Sequence, residues 1–511
     1  MPGERCQPAQ TGPAFVLLLF TFLAPFVRAQ ELDPSLASPR IPDLKIGGIN
    51  VSGNLRLRAE AWNWSLDDTR KLYAFGESRL QVSFAQNRRR FSWQLDLEQP
   101  TLWGLPDDAF LPSTGEPLGL GGIYFRANFR ANGDRRNPGG LFITQAFVQL
   151  HGLAGNSDWL RVGRFRFSDG AEGQAQDPTL NWLRRERIAN RLLGDSDWPA
   201  AGRSLDGISF HMDVGQRNDL TLTVGRPTPG VYQTGNWSKS DEWSDLDVDV
   251  VYGAFTRELT SGKTASEFRA FGIGYHDGRR VLKVDNRALA AREADTHNIR
   301  IGTFGFDYLL STPFPKIGQI TILTWGAIQS GNWGVLDHFA TAMTGEIGWQ
   351  PTKKWWRPWL RAGALATSAD GDPNDTRHRT FFQMLPTERQ YARIPFYTMQ
   401  NIEDYTGQVI LQPSPKLQLR SEIHKVKLHG KNDLWYQGSG AFQNTSFGYD
   451  GRAAKAAGGL ANFIDLSGKF AINPHMDLGL YFGALSGKST MTSRLNGRKG
   501  GFTFGEFAYK F

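Results

Sequence analysis

The sequence predicts an all-β protein that crosses a membrane as a closed antiparallel β-barrel. Three observations support this prediction: many short segments alternate between apolar and polar residues, the chain ends on an aromatic strand, and it begins with a secretion signal. On the last strand, Phe507, Tyr509 and Phe511 share one face. Glu506 and Lys510 share the other, because successive side chains of a strand point to opposite sides. In a barrel, the aromatic face meets lipid and the polar face lines the lumen.

The amino terminus has the pattern of a secretory signal peptide, which we assign to residues 1–29. Arg5 precedes an apolar run over 14–26, and Ala29 places a small residue at the cleavage position. The apolar run is too short to span a bilayer comfortably as a helix. Cleavage would remove Cys6, the only cysteine, so the secreted chain would contain no disulfide.

Past the signal, we predict a polar lead-in at 30–45 and one barrel domain at 46–511. Alternating segments number about 14 to 18, at roughly 27 residues for a strand with its turn and loop. Residues 80–98 are typical, since they form two alternating strands around a tight polar turn. Short periplasmic turns and long extracellular loops characterise such barrels. We therefore expect a multi-pass barrel in the cell outer membrane of a Gram-negative-type bacterium.

A secreted two-domain all-β protein is the alternative, because it would also alternate apolar and polar residues. The 57 glycines, the 12% aromatic residues and the charges in mid-strand favour the membrane barrel. The net charge of +8 does not indicate nucleic-acid binding, since the basic residues lie in alternating strands that follow a secretion signal. We therefore expect outer-membrane lipid and lipopolysaccharide as partners, and no nucleic acid.

Basic residues recur on the polar face of the predicted strands, where they would line the lumen. A ring of Arg and Lys selects anions, and a guanidinium binds a carboxylate through two parallel hydrogen bonds. The alternative is that these residues are solvated and paired with neighbouring acids. The candidate pore residues of this kind are Arg56, Arg58, Arg79, Arg361, Arg420 and Lys425.

The densest basic cluster lies at 160–203 and opens as a strand. Leu160 and Val162 share a face with Arg164, so an apolar and a basic pattern occupy the same side of the strand. A β-bulge near Gly163 would resolve this conflict, because one extra residue reverses the facing of everything after it.

A helix is predicted later in the same cluster, because Asp177 can cap it and Pro178 suits its first position. Arg184, Arg187 and Arg191 would then share one face. Two placements stay open: a comb of cations folded into the lumen, or an external cap that contacts solvent or lipopolysaccharide phosphates. We favour the internal comb, because the apolar residues of the helix need a surface to pack on.

No motif indicates a cofactor or catalysis. Asp370, Asp372 and Asn374 match the first three ligand positions of a calcium loop, but position twelve is Phe381 where a glutamate is required. A loop of solvated acids is the simpler interpretation. No nucleophile elbow, zinc-protease or phosphate-loop motif is present. We therefore predict a protein that is not an enzyme, with an outer-membrane hydrolase of discontinuous site as the alternative from a different class.

The blocks LRVGR at 160–164 and DPTLNW at 177–182 resemble those of the alginate export family of outer-membrane porins. Further matching blocks are Asp370–Pro373, Arg379–Phe381, Leu385–Thr387, Gln400–Asn401, Ile423–Lys425 and the stretch from Asp465 to the final strand. The resemblance implies an 18-stranded monomeric barrel. It also implies passage of an anionic uronate polysaccharide through an Arg-lined constriction.

By motif match alone, the resemblance places Arg161, Arg164, Arg361 and Lys425 among the pore residues. The helical insertion at 182–193 departs from the alginate exporter proper, and the family includes many members of unassigned cargo. We expect a porin for an alginate-like polyuronate or another anionic solute, with periplasmic export proteins as further partners. A general or small-solute porin is the alternative.

Overall fold

The computed structural model describes residues 44–511 with internal gaps. The residues outside the description are 65–71, 107–134, 154, 156, 196–197, 199, 201, 216, 229–246, 353–354, 386–393, 395, 438–448, 456 and 493–498. The predicted signal peptide and all but the end of the lead-in also lie outside the described residues. Among the described residues, no helix has both the length and the apolar character needed to cross a membrane.

Twenty strands form one sheet, in which 18 close into an antiparallel barrel and two are short side strands. The barrel strands are β2 (Ile49–Trp64), β3 (Leu72–Asn87), β4 (Phe91–Trp103), β5 (Phe142–His151), β6 (Trp159–Phe165), β7 (Leu205–Asp213), β8 (Asn218–Pro227), β9 (Val248–Ser261), β10 (Thr264–Asp277), β11 (Ile299–Phe314), β12 (Gly318–Trp333), β13 (Leu336–Pro351), β14 (Trp359–Thr367), β16 (Ile402–Ser414), β17 (Leu417–Leu428), β20 (Gly459–Asn473), β21 (Met476–Gly487) and β22 (Lys499–Lys510). The side strands are β1 (Leu44–Ile46) and β15 (Arg377–His378), and a separate hairpin joins β18 (Leu434–Gln437) to β19 (Asp450–Ala453). The helices are α1 (Pro178–Leu183), a π-helix that follows it (Arg184–Ile188), α2 (Leu289–Ala294) and α3 (Ser489–Thr492).

The barrel closes where the last strand, β22, pairs with the first barrel strand, β2. The backbone N–H of Gly53 donates to the carbonyl of Phe511 at 2.8 Å, and the Phe511 N–H returns a bond of 3.0 Å. A closed barrel leaves no strand edge unpaired, which a lipid environment requires because it offers no hydrogen bonds to backbone groups. The predicted barrel and its aromatic closing strand are therefore confirmed.

Alternation along β13 shows which side faces outward. Met343 and Ile347 are 60% and 55% exposed, whereas Thr344 and Glu346 between them are buried. On this part of β13 the outward face is thus apolar and the inward face carries polar side chains, the arrangement that suits a membrane.

The two rims of the barrel differ in their connections. At one rim, here called the short-turn rim, strands are joined by tight turns such as 88–90, 262–263 and 474–475. At the other, the long-loop rim, connections such as 166–204 and 368–401 run for tens of residues. The predicted alternation of short turns and long loops is confirmed.

Arg164 faces outward, because β6 contains no bulge near Gly163. The predicted bulge is therefore wrong. The register of β6 with β5 runs continuously through Gly163, whose φ of 127° and close approach to the Ala146 carbonyl exclude a side chain. Arg164 therefore stays on the side of Val162, which is 47% exposed. Its guanidinium binds the exposed carboxylate of Asp206 through two bonds of 2.7 Å.

Lys425 also faces outward, which corrects its prediction as a lumen residue. It is exposed, whereas His424 and Val426 on either side of it are buried. Positions 420 and 425 differ by an odd number, so Arg420 and Lys425 point to opposite faces of one strand.

The contact between β2 and β22 at the closure of the barrel, here called the seam, predicts that a side chain at Gly53 would destabilise the barrel. The ring of Phe511 lies where a Cβ of residue 53 would stand, at 2.1 Å. Gly53→Val should displace the ring and destabilise the barrel by ~1–3 kcal/mol, the usual cost of overpacking. The measurement is the temperature at which the protein unfolds on SDS gels.

Gly345→Val is the matched control, because nothing lies within 4 Å of a Cβ added at this outward glycine. It should unfold at the wild-type temperature. Equal unfolding temperatures for both variants would contradict the role assigned to the seam.

Candidate functional site

The long connection between β6 and β7 spans residues 166–204 and is here called the inner segment. Its described residues fold into the barrel. The ring of Trp182 packs on that of Trp359 of β14, with 4.4 Å between centroids. The Trp198 carbonyl accepts a bond of 2.9 Å from Arg58 of β2. Because these strands lie far apart around the barrel, the inner segment crosses its interior.

The helix of the inner segment begins where the sequence predicts and ends earlier. The Asp177 carboxylate accepts a bond of 2.9 Å from the Leu180 N–H, and Pro178 takes the first helical position. The π-helix ends at Ile188, because Asn190 adopts a φ of 66°. The chain beyond it is therefore not helical, contrary to the predicted run through 193.

Two arginines of the inner segment bind glutamates on three different strands. Arg184 approaches Glu267 of β10 at 2.8 Å. Arg187 donates to both oxygens of Glu346 on β13 and, at 2.9 Å, to Glu422 on β17. Charge-assisted bonds of this kind are roughly twice as strong as neutral ones, so they fasten the segment to the wall.

Glu346 is the centre of this network. Arg361 of β14 binds its second oxygen, and Arg191 lies 3.9 Å away while its guanidinium sits over the Trp325 ring. Arg191 also donates to the Arg187 carbonyl at 2.7 Å. The structure therefore places the predicted comb inside the barrel, but with its cations already held by wall carboxylates.

Two acids of the inner segment show how burial and ion pairing compete. Burial raises the pKa of Asp169 to about 7, although the N–H groups of Leu192 and Leu193 donate to its carboxylate. Burial would also raise the pKa of Glu172, but the nearby Arg269, at 3.0 Å, leaves it lowered. Asp169 thus acts mainly as a hydrogen-bond acceptor that shapes the turn after the helix.

The other inward-facing arginines predicted from the sequence also lie within 4.0 Å of a carboxylate. The contacts are Arg56–Glu77 at 2.9 Å, Arg58–Glu506 at 2.6 Å, Arg79–Glu98 at 4.0 Å and Arg420–Glu422 at 2.9 Å. For these residues, the geometry matches the alternative in which lumen cations pair with neighbouring acids.

Arg161 on β6 differs from these residues, because no carboxylate lies within 4.0 Å of it among the described residues. Its guanidinium donates to the Gln149 side-chain oxygen at 2.9 and 2.8 Å. It also lies 4.4, 4.7 and 5.8 Å from the ring centroids of Phe147, Trp159 and Phe165. We call these five residues the Arg161 cradle.

Side chains with hydroxyl and imidazole groups lie on the inward face of the barrel beside the cradle. Ser209 stands opposite Arg161 on the neighbouring strand and shares a 2.8 Å bond with Thr223. His211 stacks on Trp159 with 5.4 Å between ring centroids. Sequence reasoning found Arg161 but missed these partners, although the alternation of β7 and β8 places Ser209 and Thr223 on the polar face.

The candidate calcium residues do not converge on one point. Asp370 accepts from the Asp372 N–H at 3.2 Å, and Asp372 accepts from the Asn374 N–H at 3.0 Å. Arg379 lies 3.5 Å from the Asp370 carboxylate. The carboxylates thus shape successive turns beside a guanidinium, an arrangement that does not fit a calcium ion.

Glu422, His424 and Asp465 form the group whose ligand atoms come within 4.8 Å of one another. Arg187 and Arg420 each donate to Glu422 at 2.9 Å. A metal ion would have to displace these guanidinium groups, so the residues present do not fit a metal centre in this arrangement.

Ser92 and His151 are hydrogen-bonded at 2.9 Å between Oγ and Nε2. Within the described part of the chain, no carboxylate hydrogen-bonds to His151. The pair therefore lacks the third group that orients the base of a hydrolytic triad.

The contacts of Arg187 predict that this residue anchors the inner segment to the barrel wall. Arg187→Ala would leave Glu346 and Glu422 buried with one cation fewer each, a change that typically costs ~3–5 kcal/mol. We expect the inner segment to become susceptible to proteolysis while the barrel stays folded on SDS gels.

Arg185→Ala is the matched control, because Arg185 lies in the same π-helix and is exposed. It should leave the protease resistance unchanged. Equal resistance of the Arg187 variant and the wild type would contradict the anchoring role of this residue.

Several solved structures share the fold of this chain. Acinetobacter baumannii OccAB2 is 10% identical, with a TM-score of 0.56 and coverage of 91% of this chain and 98% of that one. Pseudomonas aeruginosa OccK9 (OpdG) is 9% identical, with a TM-score of 0.54 and coverage of 91% and 98%. The outer membrane protein OpdK of the same species is 9% identical, with a TM-score of 0.53 and coverage of 90% and 98%. At such identities the likeness shows the fold alone.

Comparison with curated proteins gave no significant match. The sequence model of a family described as alginate export matches residues 127–486, which is more than half of the chain. The matched region includes the inner segment, the Arg161 cradle and most barrel strands. The protein therefore belongs to the alginate export family.

Proposed function

We propose that this chain is an outer-membrane porin for anionic solutes and that the Arg161 cradle is a binding site on their path. The observation that carries this proposal is the difference between Arg161 and the other inward-facing arginines. Those arginines are paired with carboxylates, whereas the contacts of Arg161 are an amide oxygen and three aromatic rings. Arg161 is therefore the inward cation best able to accept a carboxylate from a solute.

The chemistry of the cradle suits a uronate sugar. A guanidinium holds a carboxylate through charge-assisted bonds, and the half-buried ring of Trp159 offers a flat apolar surface to the face of a sugar. Ser209 and Thr223 hold buried hydroxyl groups that share a 2.8 Å bond, and a sugar's own hydroxyls would have to open this bond to bind there. A single site of this kind binds weakly enough to release its solute, which transport requires.

A small carboxylate is the second candidate solute. The inner segment crosses the barrel and is fastened to β10, β13 and β17, which leaves less room for a polymer than an empty barrel of this size. One structural neighbour, OpdK of P. aeruginosa, was crystallised with vanillate. A small carboxylate would use Arg161 and the aromatic rings without needing the hydroxyl groups.

Arg161→Gln should reduce anion preference and weaken binding of anionic solutes. Loss of a charged hydrogen bond costs ~1.5–3 kcal/mol, which corresponds to a roughly tenfold to hundredfold weaker block of the channel. The measurements are reversal potentials in planar bilayers under a salt gradient and block by an oligouronate. The effects should shrink as salt rises, because screening shortens the reach of exposed charges.

Arg164→Gln is the matched control, since Arg164 lies three positions away on the same strand and faces outward. It removes the same charge from the chain and should change neither the reversal potential nor the block. Equal effects of the two substitutions would contradict a role for the cradle.

Three blockers separate the candidate solutes: an oligouronate, a neutral oligosaccharide of the same length, and vanillate. Block by the oligouronate alone would favour the polyuronate, and block by vanillate alone the small carboxylate. If the neutral oligosaccharide blocks the channel as strongly as the oligouronate does, the channel does not select anions.

A further inference from the structure

His338 and His378 form a buried pair between the barrel wall and the loop that follows β14. Strand β15 of this loop runs parallel to β13, with His378 opposite His338 and Arg377 opposite Asp337. The two imidazole Nδ1 atoms are 2.9 Å apart, and the residues are 3% and 2% exposed. The pair attaches residues 376–385, here called the latch loop, to the wall.

Gln329 determines which imidazole donates the hydrogen bond. Its side-chain oxygen accepts from the Phe382 N–H at 2.8 Å, and its amide donates to the Phe382 carbonyl at 2.8 Å. This fixed oxygen also faces His338 Nε2 at 3.3 Å, so Nε2 carries a hydrogen and donates. In the neutral pair, His338 Nδ1 therefore accepts from the Nδ1–H of His378.

This arrangement tolerates one added proton and not two. A first proton on His378 Nε2 leaves the Nδ1–H donor of His378 in place. A second proton must go to His338 Nδ1, which would set two N–H groups against each other at 2.9 Å. Double protonation would therefore replace an attraction by a repulsion between two cations.

The surroundings of His378 oppose its protonation. Burial, the neighbouring His338 and the charge of Arg287 lower the pKa of His378 well below its usual range. The Trp333 ring stacks on His378 at 4.4 Å and donates through Nε1 to Asp285 at 2.9 Å. The charged and titratable groups on the elements around the pair include Lys283, Asp285, Arg287, Asp295, Asp337, Asp375, Arg377, Arg379 and Asp433, which accepts from the Thr380 hydroxyl of the latch loop. Arg287 neutralises Asp285 and Asp295 at 2.8 and 2.9 Å.

The latch loop also supports the inner segment. The Leu385 N–H donates to the Leu192 carbonyl at 2.8 Å, and the Gly194 N–H donates to the Leu385 carbonyl at 2.7 Å. The Gln383 amide donates to the Arg191 carbonyl at 2.9 Å. A latch loop that leaves the wall would therefore remove four hydrogen bonds from the end of the inner segment, because the Arg203 guanidinium also donates to the Leu385 carbonyl at 2.9 Å.

We propose that the His338–His378 pair is a pH-sensitive latch whose double protonation releases the latch loop, loosens the inner segment and widens the path through the barrel. The two states are the latched arrangement and one with the latch loop detached from β13. The path through the barrel rests on the proposed porin function, whereas release of the loop does not.

The direction of the pH dependence follows from proton counting. The released state, with ordinary imidazole pKa values of ~6.5, binds more protons than the latched state. The latch is therefore fully stable above that pH and weakens as the pH falls. Each imidazole shifts the equilibrium by up to ~10-fold per pH unit, so the pair shifts it by up to ~100-fold. We expect release below about pH 5.

Release of the loop can be measured without transport. A fluorophore attached at Arg377→Cys, an exposed position, should lose anisotropy between pH 7.5 and pH 4.5. His378→Gln should suppress the change, because an amide can still donate to His338 Nδ1 and cannot be protonated. His276→Gln, on the outward face, should respond as the wild type does. An unchanged anisotropy, or an equal response of the His378 variant, would overturn the proposal.

Conductance in planar bilayers tests the effect on the path. The wild-type conductance should rise over the same pH range, and a disulfide between Asp337→Cys and Arg377→Cys should abolish the rise until it is reduced. These residues are register partners, so their separation suits a disulfide. If the loop is released and the conductance does not change, the proposed link between loop release and a wider path through the barrel is wrong. A protein that conducts at no pH would contradict the porin function, and anisotropy alone would then decide whether the latch exists.

Discussion

The interior of this barrel depends on ion pairs between a loop and the wall. Arg187 binds Glu346 and Glu422, which lie on strands β13 and β17, and Arg184 binds Glu267 on β10. Each of these groups is costly to bury alone, and each becomes tolerable because its partner is buried with it. The same pairs cancel most of the charge that an arginine-rich lumen would otherwise offer to solutes.

This neutralisation gives the remaining cations different roles. Arg184 and Arg187 attach the inner segment to the wall, whereas Arg161 has no carboxylate within 4.0 Å among the described residues. A lumen can therefore contain many arginines and still present few to a solute. Under the proposed function, selectivity would depend on the local surroundings of Arg161 more than on the net charge of +8.

The two inner elements are also connected. The latch loop hydrogen-bonds to the end of the inner segment through Leu385, and the His338–His378 pair holds that loop to β13. The inner segment is thus supported by ion pairs along its helix and by hydrogen bonds at its end. These two supports are chemically different, since one consists of ion pairs and the other of hydrogen bonds to backbone carbonyls.

The amino-acid sequence by itself determined the barrel, because period-two alternation is a local property that decides which residues of a strand face lipid. The same rule could have placed Lys425 correctly, since its odd separation from Arg420 puts the two on opposite faces. The prediction for Arg164 failed because a bulge was assumed at Gly163, and only the register with the neighbouring strands shows that none exists. Ion-pair partners could not be predicted, since Arg187 is separated from Glu346 and Glu422 by 159 and 235 residues. Such pairs depend on how a loop folds back into the closed barrel. This tertiary packing decided which of the described arginines lie beside a carboxylate, and it left Arg161 against an amide oxygen and aromatic rings.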